Sequence, residues 1–241
     1  VAALPEGRRV VWVMVPAGAP TQGVVAELSG LLSAGDVVIE GGNSHYKDDL
    51  EHAAALKEHG IGYLDVGVSG GVWGLANGYG LMVGGSAEDV AFVLPVFDAL
   101  RPEGERADGF VHSGPVGAGH YAKMVHNGIE YGLMQAYAEG FELLEAQDLV
   151  TDVPGTIRAW TQGTVIRSWL LDLLVAALDQ DPGLGEISDW VEDSGEGRWT
   201  VDEAIDLAVP LPVISAALFA RFASRQGSSP AMKAVAALRQ Q

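Results

Sequence analysis

Residues 110–123 read Phe110-Val111-His112-Ser113-Gly114-Pro115-Val116-Gly117-Ala118-Gly119-His120-Tyr121-Ala122-Lys123, and the character of the chain changes inside them. Phe110-Val111-His112 is the last apolar run of strand length, and from Gly117 onward apolar residues recur at helical spacing. Upstream, Val10-Val11-Trp12-Val13-Met14-Val15 stops at Pro16-Ala17-Gly18, and Val37-Val38-Ile39-Glu40 stops at Gly41-Gly42-Asn43-Ser44. Residues 63–68 and Leu81-Met82-Val83 continue the series, with helical patterns at 21–34, 47–59 and 87–100. This alternation predicts a Rossmann-like, open parallel sheet over residues 1–116, with a ligand crevice at the strands' C-terminal ends. Downstream, helical patterns through residue 144 and at 157–178, 201–208 and 213–222 predict an all-helical domain over residues 117–241. Trp169-Leu170-Leu171-Asp172-Leu173-Leu174-Val175 is apolar on several faces, which predicts a homodimer or homotetramer.

Composition narrows the function. With 32 acidic and 14 basic residues the formal charge is -18, so nucleic acid and anionic membrane surfaces are not expected partners. An anionic small molecule remains compatible, because a few basic groups can dominate the potential inside a cleft. No cysteine is present, which excludes disulfides, thiolate nucleophiles and cysteine-bound zinc. No apolar run is long enough to span a bilayer, and a cytoplasmic enzyme without a metal is expected.

A dinucleotide-binding sheet normally opens with strand, G-x-G-x-x-G turn and helix. Nothing before Val10 supplies these, so the expected sheet is N-terminally truncated. Gly117-Ala118-Gly119-His120-Tyr121-Ala122 fits the fingerprint by letter, but helix follows it rather than a second strand ending in an acidic residue. It is read as a decoy.

The helix that opens there carries Lys123, His126, Asn127, Glu130 and Tyr131 on one face, with Val125 and Ile129 opposite. Lys123 and Glu130 lie two turns apart, roughly 10 Å at about 1.5 Å per residue. That is too long for an ion pair and long enough to hold a small substrate. A solvated amphipathic face is the plainer alternative. The mixture of ammonium, imidazole, amide, carboxylate and phenol beside a glycine-rich turn favours a site.

Residues 117–132 are very similar to the active-site helix of 6-phosphogluconate dehydrogenases. The similarity extends to Gly41-Gly42-Asn43-Ser44, Gly67-Val68-Ser69-Gly70-Gly71, Ile166-Arg167-Ser168, Gly197-Arg198-Trp199-Thr200 and Leu218-Phe219-Ala220-Arg221. Ser69-Gly70-Gly71-Val72-Trp73-Gly74 and the run from Glu192 to Trp199 resemble the shorter bacterial branch, which usually takes NAD. In the long branch a phosphate-binding lysine and a threonine stand where Ser194 and Glu196 stand here.

The resemblance implies oxidative decarboxylation of a sugar-acid phosphate with NAD, or with NADP. It makes Lys123 the general base and Glu130 the acid that protonates the enediol. Asn127 and Asn43 would orient substrate hydroxyls and nicotinamide. The amides of Ser69, Gly70 and Gly71 would hold the carboxylate, His126, Tyr131 and Arg167 would bind substrate, and Val15-Pro16-Ala17 would lie along the cofactor. Two other readings stay open: a β-hydroxyacid dehydrogenase of the 3-hydroxyisobutyrate type, and a fragment that no longer catalyses.

Overall fold

In the computed structural model, which describes Leu4 and residues 7–239, the order is β1 (Val10–Val13), α1 (Ala19–Leu31), β2 (Val37–Glu40), α2 (Tyr46–Glu58), β3 (Gly62–Ser69), α3 (Gly74–Asn77), β4 (Gly80–Gly85), α4 (Ala87–Leu100) and β5 (Phe110–Gly114). Helices follow: α5 (Ala118–Glu145), α6 (Val153–Trp160), α7 (Trp169–Gln180), α8 (Glu196–Asp206), α9 (Pro212–Ser224) and α10 (Pro230–Arg239). By internal contacts the chain divides into Val1–Asn127 and Gly128–Gln241. The expected border at residues 116 and 117 is where α5 begins, whereas the contact division falls inside that helix.

The first unit is a five-stranded sheet in sequential order, with β1, β2 and β3 parallel. One part of the expectation fails: β4 runs antiparallel to β3, so the sheet is mostly rather than wholly parallel. A parallel return needs a crossover of about a dozen residues or more, and the link from Ser69 to Gly80 holds little beyond α3. Val37, Ile39, Leu64, Val66, Val83 and Phe97 fill one core of this unit, and Val13, Val25, Val38, Leu56 and Tyr63 fill another. Strands buried in this way read as continuous apolar runs, which is why they were legible.

In the second unit the expected helix over 157–178 is two helices. Gly163 takes a left-handed φ of 72°, and the Ser168 hydroxyl caps α7 by accepting the Leu171 N–H at 3.2 Å. Asp152 caps α6 in the same way through Gly155. Val153, Ile157, Leu171, Val175 and Leu178 form the core that joins α6 to α7.

Candidate active site

Because β1, β2 and β3 are parallel, the segments that follow them meet along one sheet edge. Glu40 turns its Oε1 back to accept the Gly42 N–H at 2.8 Å, and a Cβ at Gly42 would stand 3.0 Å from the Val15 carbonyl oxygen. The Val15-Pro16-Ala17 loop and the loop bearing Asn43 therefore touch, with Asn43 exposed at the rim. Two adjacent strand ends with one backbone laid against the other form the kind of edge on which a flat dinucleotide ring can rest. β3 ends at Ser69, and Gly70 and Gly71 follow with φ of 140° and 52°, values that an L side chain rarely adopts.

The first turn of α5 is pressed onto this sheet. A Cβ at Gly119 would lie 2.8 Å from the Gly84 nitrogen and against the carbonyls of Asp65 and Met82. Asp65 in turn accepts the N–H groups of Gly117 at 2.7 Å and His120 at 2.9 Å. These contacts explain the fingerprint-like glycines: they serve the approach of helix to strand. Gly67 leaves space for Lys123, whose side chain would be struck by a Cβ there. Lys123 is 6% exposed and Asn127 8%. His126 lies outside, with Nε2 3.5 Å from the Ser69 hydroxyl and Nδ1 3.0 Å from the Asn127 carbonyl oxygen. Lys123, His126, Asn127 and Ser69 all lie within the first unit.

Glu130 and Tyr131 continue α5 into the second unit. The buried Tyr131 hydroxyl accepts the Ser194 N–H at 3.3 Å, and its ring fills the space that a Cβ at Gly197 would need. Over that ring lies the Arg221 guanidinium, 3.6 Å from the centroid. Arg221 donates to the Glu192 carbonyl at 2.8 Å, and among the described residues no carboxylate pairs with it. The neighbouring arginines are committed: Arg198 and Arg225 both bind Asp193, and the Arg198 hydrogen bond holds that carboxyl well below the usual range. Glu196 is 2% exposed at the start of α8 and accepts from the Ser194 hydroxyl at 3.3 Å.

Arg167 sits elsewhere. It is exposed on the loop before α7, a loop held where the Tyr137 hydroxyl donates to the Ile166 carbonyl at 2.7 Å. Tyr137 follows Tyr131 by nearly two turns of α5, roughly 9 Å along the axis. The arginine that the structure lays on Tyr131 is Arg221. The sequence reading counted it in the resemblance without giving it a role, and its signal was a lone cation in the apolar run Leu218-Phe219-Ala220-Arg221-Phe222.

Two family models match the chain: the NAD binding domain of 6-phosphogluconate dehydrogenase over residues 1–103, and the 6-phosphogluconate dehydrogenase C-terminal domain over residues 119–240. The chain belongs to the 6-phosphogluconate dehydrogenase family. It is 45% identical to YqeC of Bacillus subtilis over 96% of this chain and 76% of the relative. It is 44% identical to the NAD(+)-dependent, decarboxylating 6-phosphogluconate dehydrogenase of Haloferax volcanii, over 89% of this chain and 70% of that one. The 6-phosphogluconate dehydrogenase structure from Plasmodium falciparum superposes with a TM-score of 0.80 at 29% identity, covering 92% of this chain. This chain spans about half of that longer protein, 49%.

Proposed function

We propose that this chain oxidises and decarboxylates 6-phosphogluconate to ribulose 5-phosphate and carbon dioxide, with NAD as hydride acceptor. The observation that carries the reading is Lys123, buried on the turn of α5 that packs over Gly67 and flanked by Asn127. Burial disfavours the ammonium form, which is what a general base needs. Lys123 takes the proton of the C3 hydroxyl; Val15-Pro16-Ala17 and Asn43 would hold NAD, which would supply the acceptor for the hydride leaving C3. The product carries a ketone β to its carboxylate, so carbon dioxide leaves while the ketone accepts the electron pair, giving an enediol. Glu130 then donates a proton to the enediol carbon that lost the carboxylate, C1 of the ribulose 5-phosphate product. Ser69, Gly70 and Gly71 hold the carboxylate through backbone N–H groups, and Asn127 and His126 orient hydroxyls.

For the phosphate, Tyr131 is joined by Arg221, whose guanidinium pairs with no carboxylate among the described residues, while Arg167 is a further candidate from the loop before α7. A guanidinium suits phosphate through two parallel charge-assisted bonds. The NAD(+)-dependent relative supports NAD over NADP. Among the described residues no helix is long and apolar enough to cross a membrane, which fits a cytoplasmic enzyme. Exposed Val165, Ile205, Phe219 and Leu238 fit a homodimer or homotetramer.

Steady-state kinetics on the full-length protein test the reading. Turnover of 6-phosphogluconate with NAD, at a kcat/KM at least about tenfold above that with NADP, is expected; preference for 3-hydroxyisobutyrate would overturn it. Light scattering of the same sample should give two or four chain masses.

A further inference from the structure

Beneath the base-bearing turn of α5 lies a charged cluster that the proposed reaction does not use. His120, 1% exposed, places its imidazole between two carboxylates that are fully buried. Nδ1 meets Asp49 Oδ2 of α2 at 2.7 Å, and Nε2 faces Glu40 Oε2 at the end of β2 across 3.8 Å. Among the described residues neither Nε2 nor Glu40 Oε2 has a hydrogen-bond partner. The surrounding elements add Asp65 of β3, which binds the His120 backbone N–H, and the Tyr63 hydroxyl, which donates to Asp49 Oδ1 at 2.8 Å. His52 of α2 lies 3.5 Å from that hydroxyl.

Glu40, Asp49 and His120 each offer a ligand atom within 4.8 Å of the others, so a metal ion is the competing reading of the cluster. A carboxylate faces each ring nitrogen, at hydrogen-bond distance for Nδ1 and at 3.8 Å for Nε2, and only the imidazolium carries an N–H toward both, because the neutral ring has one donor and one acceptor.

We propose that His120 is a positioning residue, a buried imidazolium clasped by Asp49 and Glu40 that ties the helix bearing Lys123 to the loop bearing Asn43. The proposal rests on the roles given to Lys123 and Asn43 above. Glu40 is the joint: one oxygen holds the Gly42 N–H beside Asn43 and the other faces His120, one helical turn before Lys123. Burial alone would push the imidazole down. The Asp49 hydrogen bond and the charges of Asp49, Glu40 and Asp65 outweigh it and hold the ring up at about 9. Burial pushes Asp49 up to about 6, so near neutrality the pair is imidazolium and carboxylate. Loss of the His120 proton leaves Glu40 facing a neutral ring, and the clasp opens.

The test uses nitrogen NMR of the full-length protein labelled in histidine, with His120→Gln to assign the resonance. Both His120 nitrogens should be protonated at pH 8, where an ordinary imidazole, titrating near about 6.5, is neutral. The Gly42 amide should shift along the same titration. Glu40→Gln keeps an oxygen for the Gly42 N–H and removes the charge. It should lower the His120 titration by at least about one unit, carry the alkaline limb of kcat down with it, and change KM by less than about threefold. A wild-type His120 that is neutral at pH 8, a Gly42 amide indifferent to it, or stoichiometric metal in the purified protein each overturns the proposal. So does a kcat limb that stays fixed when the His120 titration moves. The NMR readings need no turnover, so an enzyme inactive on 6-phosphogluconate would sink the proposed reaction while the clasp still stood or fell by itself.

Discussion

In the first unit Lys123, Asn127, His120, Glu40 and Asp49 are each 8% exposed or less, whereas in the second unit Leu143, Leu149, Val165, Ile205, Phe219 and Leu238 are each 60% exposed or more. The sheet unit hides more of the polar groups and the helical unit displays more of the apolar ones, although Val72 and Leu75 are exposed in the first and Glu196 and Thr200 are buried in the second. Buried polar groups are costly unless they are paired, so a fold retains them where their chemistry is needed. Exposed apolar groups in this number are costly unless something covers them. In our reading the first unit carries the base, and the second carries the acid and the phosphate ligands as well as the surface for self-association.

The sharpest way to break this contrast is at Lys123. Lys123→Met removes the base while keeping an unbranched side chain of similar length, and kcat should fall about 10²–10⁴-fold. A variant keeping more than about a tenth of wild-type turnover would take the base out of the first unit. Next in size is Arg221→Ala. A hydrogen bond to a charged group contributes about 1.5–3 kcal/mol, so KM for 6-phosphogluconate should rise roughly ten- to 150-fold. Arg167→Ala measured beside it decides which arginine meets the phosphate, since the larger rise in KM identifies it.

Two clusters, one in each unit, should also fail at opposite ends of the pH scale. His120 titrates at about 9 in the folded chain and near about 6.5 when unfolded. The folded state therefore holds the extra proton between those values. Its contribution is full below about pH 6.5 and is lost as pH rises through about 9. Asp193 has the reverse sign, because its carboxyl is held low by Arg198. Its contribution is present above about pH 3.9, the unfolded value, and is lost as pH falls below it. Hydrogen exchange should thus show the segments around His120 loosening in alkali and those around Asp193 loosening in acid. If the segments around His120 loosen only in acid, or those around Asp193 only in alkali, the charge assignment is wrong. The smallest effect belongs to an exposed pair in the second unit: Arg158 and Asp179 form an ion pair with both side chains more than half exposed. Arg158→Ala should change the unfolding free energy by less than about 0.5 kcal/mol, measured by denaturant titration.

Much of this was legible because it is periodic. The buried strands read as unbroken apolar runs, and α4 appeared with its ends in place because Ser86 caps one and the apolar pattern stops at Leu100. The polar face of α5 was readable from spacing alone. What stayed hidden depends on pairing across the chain. The direction of β4 follows from the length of a connection whose glycines gave no direction. The Glu40–His120–Asp49 cluster joins three elements, and each member reads singly as an ordinary polar residue. Arg221 was visible as a letter, but its place over Tyr131 depends on how α9 packs on α5.

The Asp65 carboxylate has a bearing on the order in which the chain folds. The head of α5 is closed by an acceptor 52 and 55 residues earlier, where α7 uses the hydroxyl of its own Ser168. A helix capped by a neighbour can begin locally. One capped from so far away must wait for a long loop to close, and closure entropy grows with the logarithm of loop length. Glycines at 117 and 119 make waiting harder, since each gives up more backbone freedom than another residue would. The strands β1 to β3 precede this turn in synthesis, so the template exists before the helix needs it. Lys123 therefore sits in a segment that sets late, after the sheet has formed a surface to receive it.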